Sequence, residues 1–255
     1  MSVEMLQQAI RRCKTPLALG LRFDETLLSP ALLRRFREMY GDGYFATCEA
    51  MRYHGCWVLE QVAGILPAVY VDAMSYLRNL GQGMDVLINL CDMAHNLGFY
   101  VIADCRTEAA EGWFDILPEA DAITVSPYSG GESCRVPEGK AALALVRTAG
   151  ALSGEVQNLM AGDRKLYAAV AEQMARRGAG AVIETGYSLD IREVRKKQEK
   201  LFLVLKNCDA ENAAYAFDDY GHGALVVDDT IQTAANEESA ALAAVKAMKQ
   251  YVTVL

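Results

Sequence analysis

Eight short apolar runs constrain this chain more than any other feature. They are Leu17–Leu21, Ala68–Val71, Phe99–Ala103, Ala122–Val125, Ala142–Val146, Gly180–Ile183, Leu201–Leu205 and Ala224–Val227. Several are near-continuous rather than alternating, the pattern of strands buried on both faces. Helical patterns lie between most of them. Within Met84–Asn96, the residues Met84, Leu87, Ile88, Cys91 and Ala94 fall at helical spacing and Gly98 follows as a stop. Leu166–Arg177 repeats the scheme with Gly178, and Leu189–Lys200 and Ala234–Tyr251 read as two more helices. Leu21 to Ala68 holds two helical stretches, Ser29–Met39 and Phe45–Ile65, whereas only one short helix fits between Ala103 and Ala122. Buried strands alternating with helices imply a parallel sheet, and eight of them favour a closed (β/α)8 TIM barrel. No Gly-x-Gly-x-x-Gly follows the first strand, which weakens a dinucleotide-binding reading.

The length of 255 residues suits a single barrel domain over 1–255. No Pro/Gly/Ser-rich linker divides it. The formal charge of -8 argues against a nucleic-acid partner, which needs a basic face. The nearest basic stretch, Arg192, Arg195, Lys196, Lys197 and Lys200, is interleaved with Glu193 and Glu199 and reads as a solvated helix face. The seven cysteines are odd in number and form no Cys-x-x-Cys. Met1–Lys14 reads as an amphipathic helix rather than a secretory signal, so reduced thiols in a cytoplasmic setting are expected. Ligand spacing for zinc is absent, and no apolar run approaches a membrane span of about 20 residues. No metal, cofactor or membrane partner is expected.

In such a barrel the active site lies at the C-terminal ends of the strands. The residues just past each strand form a polar ring: Arg22 and Asp24, Asp72, Asp104 and Arg106, Ser126 and Tyr128, Arg147 and Thr148, Glu184 and Thr185, Lys206 and Asn207, Asp228 and Asp229. Opposite charges crowded at a mouth either pair with one another or hold a small polar ligand. Asp24 and Asp104 are equally placed to cap a following turn, and Arg106 and Arg147 to pair with those acids. Asp228 and Asp229 read as caps before the final helix rather than metal ligands. His54 and His95 fall inside helices and His222 in a loop, which disfavours a histidine acid or base.

Asp121-Ala122-Ile123-Thr124-Val125-Ser126-Pro127-Tyr128, followed by Gly130 and Ser133, resembles the fourth-strand segment of orotidine 5'-phosphate decarboxylases of the longer bacterial type. Leu145-Val146-Arg147-Thr148, followed by Ser153, Gly154 and Gln157, resembles that type's fifth-strand segment, whose loop helps to hold the pyrimidine. Leu166-Tyr167 and Val170-Ala171 continue the likeness, and Leu19-Gly20-Leu21 and Val101-Ile102-Ala103-Asp104 resemble the first- and third-strand motifs. The likeness runs from about residue 15 to 230. It implies a barrel, a nucleotide ligand and a homodimer joined across the active-site ends.

The same resemblance exposes what differs. The family uses a second-strand Lys and Asp-x-Lys-x-x-Asp after the third strand, its carboxylates crowding the substrate carboxylate and its Lys delivering a proton. Here the segment reads Asp104-Cys105-Arg106-Thr107-Glu108-Ala109. Asp104 keeps the first acid, Arg106 stands for the Lys and Ala109 for the second Asp, with Glu108 one residue away. The second-strand Lys aligns near Val71. The family's Gly-rich seventh-strand phosphate loop with its Gln is replaced by Lys206-Asn207-Cys208-Asp209-Ala210, and its eighth-strand Arg by Asp228-Asp229. Arg22 falls at the ribose-binding Asp, with Asp24 nearby.

Asp104, Arg106 and Glu108 are therefore the expected catalytic positions. Asp24, Ser126, Tyr128, Arg147, Thr148, Gln157 and Lys206 are the expected ligand-binding positions. The expectation is a decarboxylase-like barrel binding a nucleotide or other small anionic ligand, with standard decarboxylation compromised. A divergent small-molecule enzyme using Asp104 or Glu108 as base stays open, as does an active decarboxylase.

Overall fold

A computed structural model describes residues 2–130 and 134–255; Ser133 of the fourth-strand motif lies outside the described residues. Eight parallel strands close into a barrel: β1 (Leu17–Leu21), β2 (Ala68–Val71), β3 (Tyr100–Thr107), β4 (Ala122–Val125), β5 (Ala141–Arg147), β6 (Gly180–Ile183), β7 (Leu203–Leu205) and β8 (Ala224–Asp228). Each strand pairs with its sequence neighbours and β8 returns to β1, with Leu17 opposite Val226. The eight expected strands are all present, some with ends shifted by one to four residues.

The helices are α1 (Ser2–Cys13), α2 (Pro30–Tyr40), α3 (Tyr44–Val62), α4 (Ala73–Leu77), α5 (Leu80–Asn96), α6 (Glu111–Ile116), α7 (Ser153–Gln157), α8 (Leu166–Arg176), α9 (Ser188–Lys197), α10 (Ala210–Ala213) and α11 (Glu237–Met248). Their ends follow local chemistry. Ser29 caps α2 by accepting the Leu32 N–H at 3.2 Å, with Pro30 in the first turn. Asn236 caps α11 through the Ser239 N–H at 2.7 Å. Gly98 and Gly178 take φ of 84° and 74° just past α5 and α8, a left-handed turn that glycine adopts without strain. As expected, α6 is the only full helix between β3 and β4.

Two apolar layers stabilise the barrel. Outward residues such as Val69, Val71, Val101 and Ile123 pack against the helices, and inward residues such as Tyr70, Ile102, Leu145 and Val204 fill the interior. Leu6 and Ile10 of α1 belong to the interior layer and form its floor at the N-terminal end. Ser2 fastens that helix, its Oγ lying 2.6 Å from the Tyr100 hydroxyl and donating to the Asp121 carbonyl at 3.1 Å. With one end closed by apolar packing, the polar mouth at the other end is the natural site.

The basic stretch of α9 differs from expectation at one residue. Arg195 does not join a solvated face. Its guanidinium donates to the carbonyls of Gln198, Glu199, Leu201, Ala216 and Gly223 at 2.6–3.2 Å. It thereby gathers the chain entering β7 and β8, and burial lowers its pKa to about 10 against the opposing pull of Asp218. An Arg195→Ala variant should lose on the order of 3 kcal/mol, because several carbonyls lose a charged donor at once. Urea unfolding should show the midpoint falling; an unchanged midpoint would refute this role.

Candidate functional site

The side chains that converge at the mouth come from alternate strand positions. After Tyr100 and Ile102, the next inward residue of β3 is Asp104, which is fully buried. Its Oδ1 accepts the Thr124 hydroxyl of β4 at 2.6 Å, and its Oδ2 accepts Arg106 Nη2 at 3.2 Å. Lys206 Nζ, just past β7, lies 3.9 Å from the same Oδ2 and 4.5 Å from the centre of the Tyr70 ring. Arg106 also pairs with both oxygens of Glu184, just past β6. Glu184 accepts the Ala149 N–H at 3.3 Å as well. Two buried acids and two cations thus share one cluster, the arrangement in which buried charges are tolerable.

The backbone is bent to make this cluster. The pairing of β3 with β4 shifts register between Ala103 and Thr107, and Arg106 sits at φ of 47°. A non-glycine residue in that region is strained by about 1–3 kcal/mol, so its surroundings must hold it there. The Arg106 N–H donating to Thr124 Oγ1 at 3.0 Å and the side-chain ion pairs do so. Burial alone would lower the pKa of Arg106, but Asp104 and Glu184 more than offset it and raise it. Tyr70 forms the floor: it is 1% exposed, its hydroxyl has no hydrogen-bond partner among the described residues, and burial, then Asp104, push its pKa well up.

Asp229 is the third acid of the mouth. It sits against Gly20 of β1, where a Cβ would lie 1.9 Å from Asp229 Oδ1. Only glycine leaves room for it. Burial raises the Asp229 pKa, Lys206 and Arg22 oppose that, and Asp228 and Asp72 reinforce it. Asp228 plays the capping part, accepting the N–H and hydroxyl of Thr230 at 2.8 and 2.6 Å. Beside these loops opens a cleft of about 370 Å³, lined by Asn207, Cys208, Asp209, Asp228, Asp229 and Thr230 among others.

Several expected ligand-binding residues make their contacts outside this cluster. Arg147 is 7% exposed and turned away from Asp104: its Nε donates to Asp190 of α9 at 3.0 Å and its Nη1 to Gln157 of α7 at 3.1 Å. The cause is a register shift between Leu145 and Arg147 against β6. Gln157 also accepts the Thr148 N–H at 3.0 Å and donates to the Thr148 hydroxyl at 2.9 Å. Tyr167 completes this second knot by donating to Asp190 at 3.2 Å and Glu193 at 2.7 Å. Arg147, Thr148 and Gln157 thus shape the loop after β5 from behind.

Asp24 caps the turn Glu25–Leu27, accepting the Thr26 hydroxyl at 2.6 Å, and that bond, aided by Arg22, lowers its pKa. Tyr128 donates to the Val146 carbonyl at 2.5 Å, and burial pushes its pKa up to about 12. Ser126 precedes the turn Pro127–Ser129, and its N–H bonds the Thr107 carbonyl at 2.7 Å. Glu108 is exposed. Val71, aligned with the family's second-strand Lys, packs into the helix layer, while its neighbour Tyr70 faces inward. Among the described residues, no group of three or more His, Cys, Asp or Glu is placed to hold a metal ion. No disulfide joins the cysteines among these residues, and no helix there is long and apolar enough to cross a membrane.

Thr124, Tyr70 and Gly20 were missed in the sequence reading, although each obeys the inward alternation of its strand. Asp229 offers a pH test. Its raised pKa means that folding favours the neutral carboxyl. The associated stability is full below the unfolded value of 3.8 and is lost as pH rises through the folded value. Asp229→Asn should therefore melt higher than the parent at pH 7, with the difference vanishing below about pH 3.5. Thermal melts across pH check this, and a lower melting point at pH 7 would contradict it.

No family model matches the chain. It is 28% identical over 208 residues to the orotidine 5'-phosphate decarboxylase of Rhodopirellula baltica, covering 67% of this chain and 68% of that one. It is 29% identical over 156 residues to that of Caldicellulosiruptor bescii, covering 51% of this chain and 49% of that relative. The OMP decarboxylase of Leishmania donovani has the same fold, with a TM-score of 0.78 at 21% identity over 98% of both chains. The orotidine 5'-monophosphate decarboxylase of Plasmodium berghei gives 0.84 at 14% identity over 97% of both. The chain is thus similar in sequence to curated orotidine 5'-phosphate decarboxylases and shares its closed barrel fold with solved ones.

Proposed function

We propose that this barrel binds a nucleotide or other small anionic ligand at the C-terminal ends of its strands and has lost efficient decarboxylation of orotidine 5'-phosphate. The observation that carries this reading is Arg106 held between Asp104 and Glu184. A guanidinium stays protonated through the neutral range, and here the two acids raise its pKa further, so it is a poor proton donor. Loss of a positioned acid lowers such rates about 10²–10⁴-fold. An anion entering the mouth would meet the Arg106 side chain, which is 40% exposed, and then Lys206. It would avoid the rim at Asp228 and Asp229, where like charge repels it.

Calorimetric titration with uridine 5'-monophosphate at low phosphate should give micromolar binding; no binding overturns the reading. Assayed beside the R. baltica enzyme, decarboxylation should be slower by at least about 10²-fold. A small-molecule enzyme using Asp104 as base is the second reading, favoured by the burial of that carboxylate beside Lys206. Asp104→Asn separates the two. Uridine 5'-monophosphate affinity changing less than about tenfold fits a binder, and abolished turnover fits an enzyme.

The mouth end also supports pairing with a second copy. Leu152, Leu159, Met160, Tyr187 and Leu189, in the loops and first turns after β5 and β6, are 59–74% exposed. Exposed apolar side chains in the loops at this end suit an interaction surface. Light scattering should give twice the chain mass, and Leu152→Glu with Leu189→Glu should halve it. A monomeric parent would remove this part of the proposal.

A further inference from the structure

Resting on the reading that the mouth binds a small ligand, we propose that recognition there needs no phosphate: the ligand is held through a carbonyl or carboxylate oxygen at Lys206. Barrels of this architecture often take a phosphate on the loops after the seventh and eighth strands, together with the start of a short extra helix. Here the loop after β7 leads into such a short helix, α10.

The donors in both loops are already served by the chain itself. Asp209 accepts the Asn212 N–H at 2.8 Å and the Asn212 side-chain amide at 2.9 Å. At the end of β8, Asp228 Oδ1 accepts the Thr230 N–H and hydroxyl at 2.8 and 2.6 Å. A carboxylate so placed satisfies the donors that a phosphate would use, and its charge repels one. Asp229, lodged against Gly20, adds a third carboxyl. All three acids line the cleft of about 370 Å³ that the two loops share.

The uncommitted donor of the mouth lies elsewhere. Arg106 gives its guanidinium to Asp104 and Glu184. Lys206 is 12% exposed, with its ammonium 3.9 Å from Asp104 Oδ2 and 4.5 Å from the Tyr70 ring centre. That ammonium makes no hydrogen bond among the described residues. An ammonium withdrawn from water with three donors unused requires an acceptor. Asp104 offsets much of its charge, so a single ligand oxygen suits it better than the three oxygens and near-double charge of a phosphate group.

The test is calorimetric titration of the intact chain with uridine, orotate and uridine 5'-monophosphate, with inorganic phosphate as competitor. Uridine should bind within about tenfold of uridine 5'-monophosphate, and inorganic phosphate should not displace it. Orotate binding the tighter of the two phosphate-free probes identifies the oxygen as a carboxylate; uridine binding the tighter identifies a carbonyl. Asp209→Asn with Asp228→Asn keeps the turn hydrogen bonds and removes two charges, so uridine 5'-monophosphate should tighten at least about threefold relative to uridine. Lys206→Met should weaken uridine at least about tenfold, as loss of a charged donor requires. Uridine 5'-monophosphate binding the parent more than about tenfold tighter than uridine overturns the proposal and leaves the binding reading intact. No relative change in the asparagine pair, or unchanged uridine affinity in Lys206→Met, also overturns it. A chain that binds none of the three organic probes overturns both.

Discussion

The bridge from Asp104 through Arg106 to Glu184 governs the mouth of this barrel. Asp104 is fully buried and accepts from Thr124 as well as Arg106, so it joins β3 to β4 while Arg106 carries the connection across to β6. An unpaired carboxylate at that depth would cost several kcal/mol in desolvation. The strained φ of Arg106 persists because the ion pairs and the bond from its N–H to Thr124 outweigh the strain. The arrangement stiffens the mouth and places positive charge there, but the same pairing removes Arg106 from proton chemistry. Stability and chemistry make opposite demands on this position.

A second polar knot, around Arg147, shows that a charged residue at a strand end need not join the central cluster. Arg147 follows Leu145 by two positions and would face inward by plain alternation. The bulge against β6 turns it to Asp190, Gln157 and Tyr167. There it anchors α7, α8 and α9 behind the loop that carries Thr148. The two knots meet where the Ala149 N–H donates to the Glu184 carboxylate and the Glu184 N–H donates to the Arg147 carbonyl at 2.7 Å. A substitution in the Arg147 knot can thus shift the loop without altering the charge that a ligand meets.

Strands and helices were legible in the sequence because each rests on local pattern: apolar runs bounded by polar residues, and stops at Gly98 and Gly178. The site was legible only in part. Asp104, Arg106 and Lys206 were expected there and do converge. The turn of Arg147 toward Asp190 and Gln157 was not legible, because a bulge is a property of strand pairing, which local pattern does not reveal. Asp229 was read with Asp228 as a cap, since neighbouring acids look alike until Gly20, distant in sequence, is seen to make room for one of them. Arg195 was absorbed into a basic stretch for the same reason: its carbonyl partners extend to Gly223.

A closed barrel brings eight strand ends onto one axis, so the strand from which a charge departs matters less than the point at which it arrives. The inward residue of β2 is Tyr70, whose ring, rather than an amine, lies in the middle of the cluster. The amine comes instead from β7, on the other side of β1 and β8, and still reaches Asp104. Tyr70 and Lys206 form one unit: the ring supplies the surface over which the ammonium rests, and a second lysine in its place would set like charges together. Meanwhile Asp228, the last residue of β8, and Asp229 turn the neighbouring rim acidic. This barrel therefore shares the frame of the solved decarboxylases while carrying its own distribution of charge around it. Its ligand preference has to be read from where those charges converge in space.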